Sequence, residues 1–524
     1  MSDPTLRKQS LATDASWLTL AKTLAFGVTI IVPLVMVRHL SQQDFGVYRQ
    51  LSLLISTAII VLPFGFAMSA FYFLPRAVDR RNTVALNILV VYTTISAIAS
   101  GALLVRPDAL AAIFHDPSLV PYGRLVAGIV FFTVASSFVD MLALANGDLK
   151  SATTFVVLSN LSKAALLSGA AIFFASVRAI LFASMMYGLF QVVLLFAYLR
   201  HGFGSFLGRV DAKLLRQQVG YALPLGLAAW LYWLQTEAHH YFVARTFGAA
   251  TYAIYAIGCV ALPLTSIFGE SMAYVVIRHV SELHSQNRRQ EVVVLLSQAV
   301  RNLAAFYLPL YALLLLIGRD LIAVVYTPRF IGSWPIFAIN LTLMPLSIVA
   351  IVNDAVIRSY SRCRPFLVVV RLALVPVLLA TLWYVTPRYG PIATISTVVA
   401  ANALERLIVA GRTAKVLELR WRDAALLKGV IGIMGTVLLA GVATVIARIT
   451  SVQTQHWKAL ALSVVVFATV YVAANVVRIV AIGEQAIAEW PFTILPDSAR
   501  QFLADLLART RRTGDPQEVG EKAA

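Results

Sequence analysis

Ionisable side chains are rare inside the long apolar stretches of this 524-residue chain: Lys22, Asp140, Lys163, Glu237, Glu270, Arg301, Asp354, Arg371 and the pair Glu405 and Arg406. Holding one at the centre of an apolar helix costs on the order of 2.5 to 3.5 kcal/mol on insertion scales, so each is a functional candidate. Lys22, Lys163, Arg301 and Arg371 are the right types for an anion-attracting cavity. Glu237, Glu270, Asp140 and Asp354 are candidates for coupling to an ion, H+ or Na+, since a carboxylate that moves between wet and dry surroundings changes its proton affinity.

Each assignment has a plainer competitor. Lys22 can pair with an acid and merely tie helices, Glu237 and Glu270 can hydrogen-bond between helices, and Arg301, Arg371, Asp140 and Asp354 lie near enough to span ends to snorkel. Trp230, Tyr232 and Trp233 are placed to stack on sugar rings, yet Trp and Tyr are also ordinary residues of membrane interfaces. His239 and His240 follow Glu237 and titrate near neutrality if solvated. Cys259 and Cys363 form neither a disulfide framework nor a metal motif, and no GxxxxGK[ST] loop for ATP is present.

The elements that hold these residues are membrane spans. With 59% hydrophobic and 13% charged residues and a mean hydropathy of +0.80, the chain has too little polar surface to clothe a soluble globule of its size. Strand-like alternation is absent. An all-α polytopic protein follows, with about fourteen spans near 17–37, 50–73, 84–105, 123–145, 154–175, 180–199, 220–244, 254–277, 300–317, 335–357, 365–386, 391–411, 428–447 and 459–480. Pro33, Pro63, Pro224, Pro263, Pro309, Pro345 and Pro376 fall inside them and are expected to bend or break helices.

Lys and Arg are unevenly shared between the two sides. If the N-terminus is cytoplasmic, that side holds twenty-seven of them against eleven opposite, Arg38, Arg49 and Arg245 among the eleven. The bias places both termini in the cytoplasm. It also accounts for most of the +18 net charge, which is dispersed over short loops and so does not mark a nucleic-acid binder. Ser498 and Gln501 at capping-box spacing precede Phe502, Leu503, Leu506 and Leu507, which predicts a short amphipathic helix in the tail.

Short loop motifs recur. Arg38, Phe45, Val47 and Tyr48 match Arg245, Tyr252, Ile254 and Tyr255 at an offset of 207; Leu110 and Pro117 match Leu321 and Pro328 at 211; Asp140 and Lys150 match Asp354 and Arg364 at 214. Three matches in one order argue for duplication of a six-helix unit, inserted both times in the same sense, which suits a path between two lobes. The organisation expected is a cytoplasmic N-terminus (1–16), an N-lobe (17–199), a linker (200–219), a C-lobe (220–411), two further spans (428–480) and a cytoplasmic tail (484–524).

Beyond these patterns, "RHLSQQDFGVYRQLSLL", "YFLPRAVDRRN", "GYALPLGLAAWLYWLQTEAHHYFVARTFGAATYAIYAI", "LIAVVYTPRFIGSWPIF" and "YGPIATISTVVAANALERL" resemble the polysaccharide transporter branch of the multidrug/oligosaccharidyl-lipid/polysaccharide (MOP) exporter superfamily, over roughly residues 10–480. The resemblance implies a two-lobed flippase of the bacterial inner membrane with a MATE-like fold. Such a protein moves undecaprenyl-diphosphate-linked oligosaccharides to the periplasmic leaflet by alternating access, with a polysaccharide polymerase and a chain-length regulator as partners. The cationic cavity would then meet the diphosphate, and the repeated hairpin would link the first two helices of each lobe, with Gly46 permitting the turn. A lipid II flippase and a drug or cation antiporter of the same superfamily remain alternatives. A glycosyltransferase or O-antigen ligase is disfavoured by the short first loop, whose one acid is Asp44.

Overall fold

Long runs of Ala, Leu, Val and Ile leave the helix as the one way to satisfy every backbone amide within a segment, and polar or glycine joints decide where each helix stops. The computed structural model describes residues 27, 30–76, 78–204, 210–260, 262–360, 363–419, 428–451 and 455–482. Lys22, the start of span 1 and the expected tail helix lie outside the described residues.

Among those residues there are no strands, and the helices make fourteen passes. They are Ile30–His39, Gln42–Phe73, Arg81–Val105, Pro117–Ala145, Leu149–Phe174, Val177–Phe203, 212–247, 249–258 continued as Pro263–Ser285, Arg289–Val325, Pro328–Ser359, 364–389, 391–416, Lys428–Thr450 and His456–Ile482. These are spans 1 to 14 below. They carry large apolar side chains in the open, such as Val105 at 79% and Phe173 at 80% exposure, as helices that face lipid do.

The joints between spans 1 and 2 and between spans 7 and 8 use different chemistry at matching positions. Ser41 is extended (ψ 161°); its side chain accepts from the Asp44 amide at 3.0 Å and donates to the Asp44 carboxylate at 2.6 Å, capping span 2. Its counterpart at the 207 offset is Gly248, which breaks the chain at φ 72° and ψ 176°, a region open essentially to glycine. The pattern repeats between spans 5 and 6, where extended Ser176 accepts from the Ala179 amide at 3.2 Å. Its counterpart at offset 214 is Gly390, at φ 83° and ψ −176°. Pro117 and Pro328 each open a six-residue 3-10 turn, and Lys150 and Arg364 each stand at the start of a long helix.

The turn of the first hairpin is therefore at Leu40 and Ser41, and the expectation for Gly46 is corrected. Gly46 lies within the helix, where a β-carbon would overlap the Ala249 carbonyl, so its hydrogen is what lets the two hairpins touch. Pro63 acts as expected: with Phe64 and Gly65, both at positive φ, it ends the helix at Val61 halfway along span 2. Gly226 of span 7 packs so closely on Phe64 that it too admits no β-carbon.

The chain forms two units. In the first, the described residues up to Ile257 are joined by Arg371–Val398. Its core gathers Phe66, Leu74, Ile88, Tyr92, Phe138, Leu142, Leu195 and Leu199 from spans 2, 3, 4 and 6. The second comprises Gly258–Val370 and the described residues from Val399 onward, and there Ile357, Cys363, Leu367 and Val409 pack together.

Candidate functional site

Inside the first unit, polar residues at helical spacing turn to a common centre. Span 2 presents Tyr48, Arg49, Ser52 and Ser56, span 4 presents Thr133, Ser136, Ser137 and Asp140, and span 5 presents Ser159, Asn160 and Lys163. Span 6 adds Ser184, Tyr187 and Gln191, span 7 adds Glu237 and His240, and Tyr252 arrives from span 8. Together they line a cavity of about 540 Å3, within the range of pockets that hold a small ligand.

Part of the wall is preorganised. The Gln191 amide donates to Ser159 Oγ and to Tyr187 Oη, both at 2.8 Å, and those two hydroxyls lie 2.9 Å apart. Lys163 Nζ sits 5.8 Å from the centre of the Tyr187 ring, in cation–π range. The cavity wall thus presents a basic side chain together with neutral donors and acceptors.

Of the side chains singled out from sequence, Lys163, Asp140 and Glu237 meet in this cavity. The others go elsewhere. Arg371 is 9% exposed, with its guanidinium 4.9 Å from the ring centre of Tyr232. Arg301 lies in span 9 of the second unit, and Glu270 in span 8 is exposed. Asp354 faces Arg406 at 3.6 Å, both side chains mostly buried. Trp230 packs on Phe64 with ring centres 5.9 Å apart, and Trp233 meets Tyr241 at 6.2 Å. None of the three aromatics lines the cavity.

Arg49 is the residue that the sequence reading missed. Counted there with a loop, it stands within the helix Gln42–Val61 and lines the cavity beside Ser52. The signal available was the stripe Arg49, Ser52 and Ser56 at i, i+3 and i+7, which sets a cation on the same helical face as two hydroxyls.

The comparisons agree with this geometry. Residues 35–335 match the profile of a family described as polysaccharide biosynthesis protein. Among solved structures, the lipid II flippase MurJ in its inward closed conformation superposes with a TM-score of 0.69 at 11% identity, over 89% of this chain and 99% of that one. An inward-facing multidrug resistance MATE transporter of the MOP superfamily gives 0.62 at 13% identity, over 76% and 95%. A MOP superfamily transporter from Pyrococcus furiosus gives 0.54 at 13%, over 79% and 96%. No curated protein matches by sequence. Ten long apolar helices among the described residues, a polar cavity among spans 2 to 8 and a profile match over more than half of its length make the chain a multi-pass membrane protein of the polysaccharide biosynthesis family, built on the MOP superfamily fold.

Proposed function

We propose that the protein is a flippase that carries undecaprenyl-diphosphate-linked oligosaccharide units from the cytoplasmic to the periplasmic leaflet of a bacterial inner membrane, for assembly of a surface polysaccharide. One observation carries the reading: in a chain of this family, Arg49 and Lys163 stand among hydroxyls and amides in a cavity enclosed by membrane spans. A diphosphate crossing a low-dielectric layer needs cations in place of water, and the sugars attached to it need neutral hydrogen-bonding groups. A lipid-linked cargo is also what the name of the structural neighbour MurJ states for that protein.

The test is the fate of lipid-linked glycan in cells that lack the gene. Undecaprenyl-diphosphate oligosaccharides should accumulate on the cytoplasmic face, and wild-type protein should clear them, whereas Arg49→Ala and Lys163→Ala should not, at equal membrane levels. Accumulation of lipid II instead would transfer the protein to cell-wall precursor transport, and no change in any lipid-linked glycan would sink the reading.

A further inference from the structure

Span 7 carries two adjacent histidines that the flippase reading leaves without a role. His239 and His240 are 4% and 8% exposed, with ring centres 4.3 Å apart. Tyr255 Oη lies 2.6 Å from His239 Nδ1 and Tyr252 Oη lies 3.4 Å from His240 Nδ1. Both tyrosines belong to the second copy of the repeated hairpin motif. On its other side, His240 Nε2 is 3.8 Å from a Glu237 carboxylate oxygen, and Glu237, His240 and Tyr252 all line the cavity. A file of proton-accepting groups thus runs from the cavity wall into the packed junction of spans 7 and 8.

The charges facing this file nearly cancel. Arg49 comes from span 2, Asp140 from span 4, Lys163 from span 5 and Glu237 from span 7 itself, with Tyr48, Tyr187 and Tyr252 adding phenols. Two cations and two carboxylates leave the wall close to neutral, whereas each phosphate of a diphosphate diester stays ionised. Its entry therefore leaves negative charge without a counter-charge in surroundings where such charge is costly. A proton is the smallest compensation. Imidazole is the side chain whose unperturbed titration lies nearest neutrality, and two imidazolium rings at this spacing exclude one another, so the pair accepts a single proton.

We propose that the anionic head and one proton occupy this cavity together, the proton being held between Glu237 and His240. The inference rests on the flippase reading and deepens it. By linkage, the head binds more tightly as pH falls, and binding of the head draws a proton from solution. Because the proton accompanies the cargo, the site neutralises the head group and does not draw on an inward proton gradient for its export.

Calorimetry on the full-length protein in detergent tests this, with undecaprenyl-diphosphate-linked N-acetylglucosamine as the probe in two buffers of different ionisation enthalpy, Pipes and Tris. The wild type should show a buffer-dependent heat that corresponds to uptake approaching one proton per lipid. Glu237→Gln and His240→Gln should each cut that uptake by at least half, while Glu270→Gln, at an exposed carboxylate outside the cavity, should leave it. A wild-type heat that does not depend on the buffer overturns the inference while the flippase reading stands. Uptake that stays intact in both Glu237→Gln and His240→Gln overturns the site. Absence of binding by the wild type overturns the flippase reading and the inference together.

Discussion

Gly46 in span 2 meets Ala249 in span 8 so closely that a β-carbon on Gly46 would overlap the Ala249 carbonyl. Through this contact the two copies of the hairpin pack on one another, and amides fix it on both sides. Gln42 Nε2 donates to the Ala250 carbonyl and Gln50 Nε2 to the Ala244 carbonyl, each at 3.1 Å. Each copy of the motif thus forms part of the surface on which the other packs. Gly46→Ala should therefore lower stability by about 1 to 3 kcal/mol, the range for overpacking a close contact. Gly101→Ala is the control, since nothing lies within 4 Å of a β-carbon there. Thermal unfolding in detergent should show a drop for the first and none for the second.

Gly248 and Gly390 hold their joints at backbone angles that other residues rarely adopt. Alanine at either should cost on the order of 1 to 3 kcal/mol of strain, although open space surrounds both positions. At Ser41, the equivalent joint, the chain is extended and alanine should cost about 1 kcal/mol through loss of the cap. Melting temperatures that fall further for Gly248→Ala than for Ser41→Ala are the expected result; equal effects would contradict the account of the joints.

Arg49 and Lys163 supply the positive charge of the cavity. A hydrogen bond to a charged group contributes roughly 1.5 to 3 kcal/mol, so removing either cation should weaken binding of a lipid diphosphate by about 10- to 100-fold. Arg49→Gln and Lys163→Gln should both show it in direct binding assays. Arg301→Gln, in the second unit and outside this cavity, should bind within a few-fold of wild type.

Asp320 fastens the last two spans to span 9. Its carboxylate, 7% exposed, receives Arg448 at 2.6 Å and lies 2.7 Å from His456 Nδ1, while Arg448 also donates to the Leu316 carbonyl at 2.7 Å. Taking one partner from a buried pair costs about 3 to 5 kcal/mol, and the partial exposure of Arg448 brings the expectation for Asp320→Ala to about 1 to 3 kcal/mol. His456→Ala should cost less than 1 kcal/mol, since that ring is nearly half exposed. Unfolding monitored in detergent should rank the two variants in that order.

Span count, helical class and the internal repeat were legible in the sequence because they rest on apolar run length and on loop motifs at steady offsets. Membership of the superfamily was legible through the same motifs. The serine-for-glycine exchange at two joints was hidden, because a cap and a left-handed glycine solve one geometric problem with unlike residues. Gly46 misled for a related reason, since glycine serves turns and close packing alike and the letter does not say which.

The amino-acid sequence by itself determined that this chain lies in a membrane, how many times it crosses, and that a few ionisable groups are held inside at a cost. Only the tertiary structure decided which of them meet. Arg49, Asp140, Lys163 and Glu237 come from four different helices, and the rotation of each helix is set by packing, as where Gly46 and Gly226 let spans 2, 7 and 8 approach. Hydropathy records how deep a residue lies along the helix axis; the direction in which it points depends on the neighbouring helices.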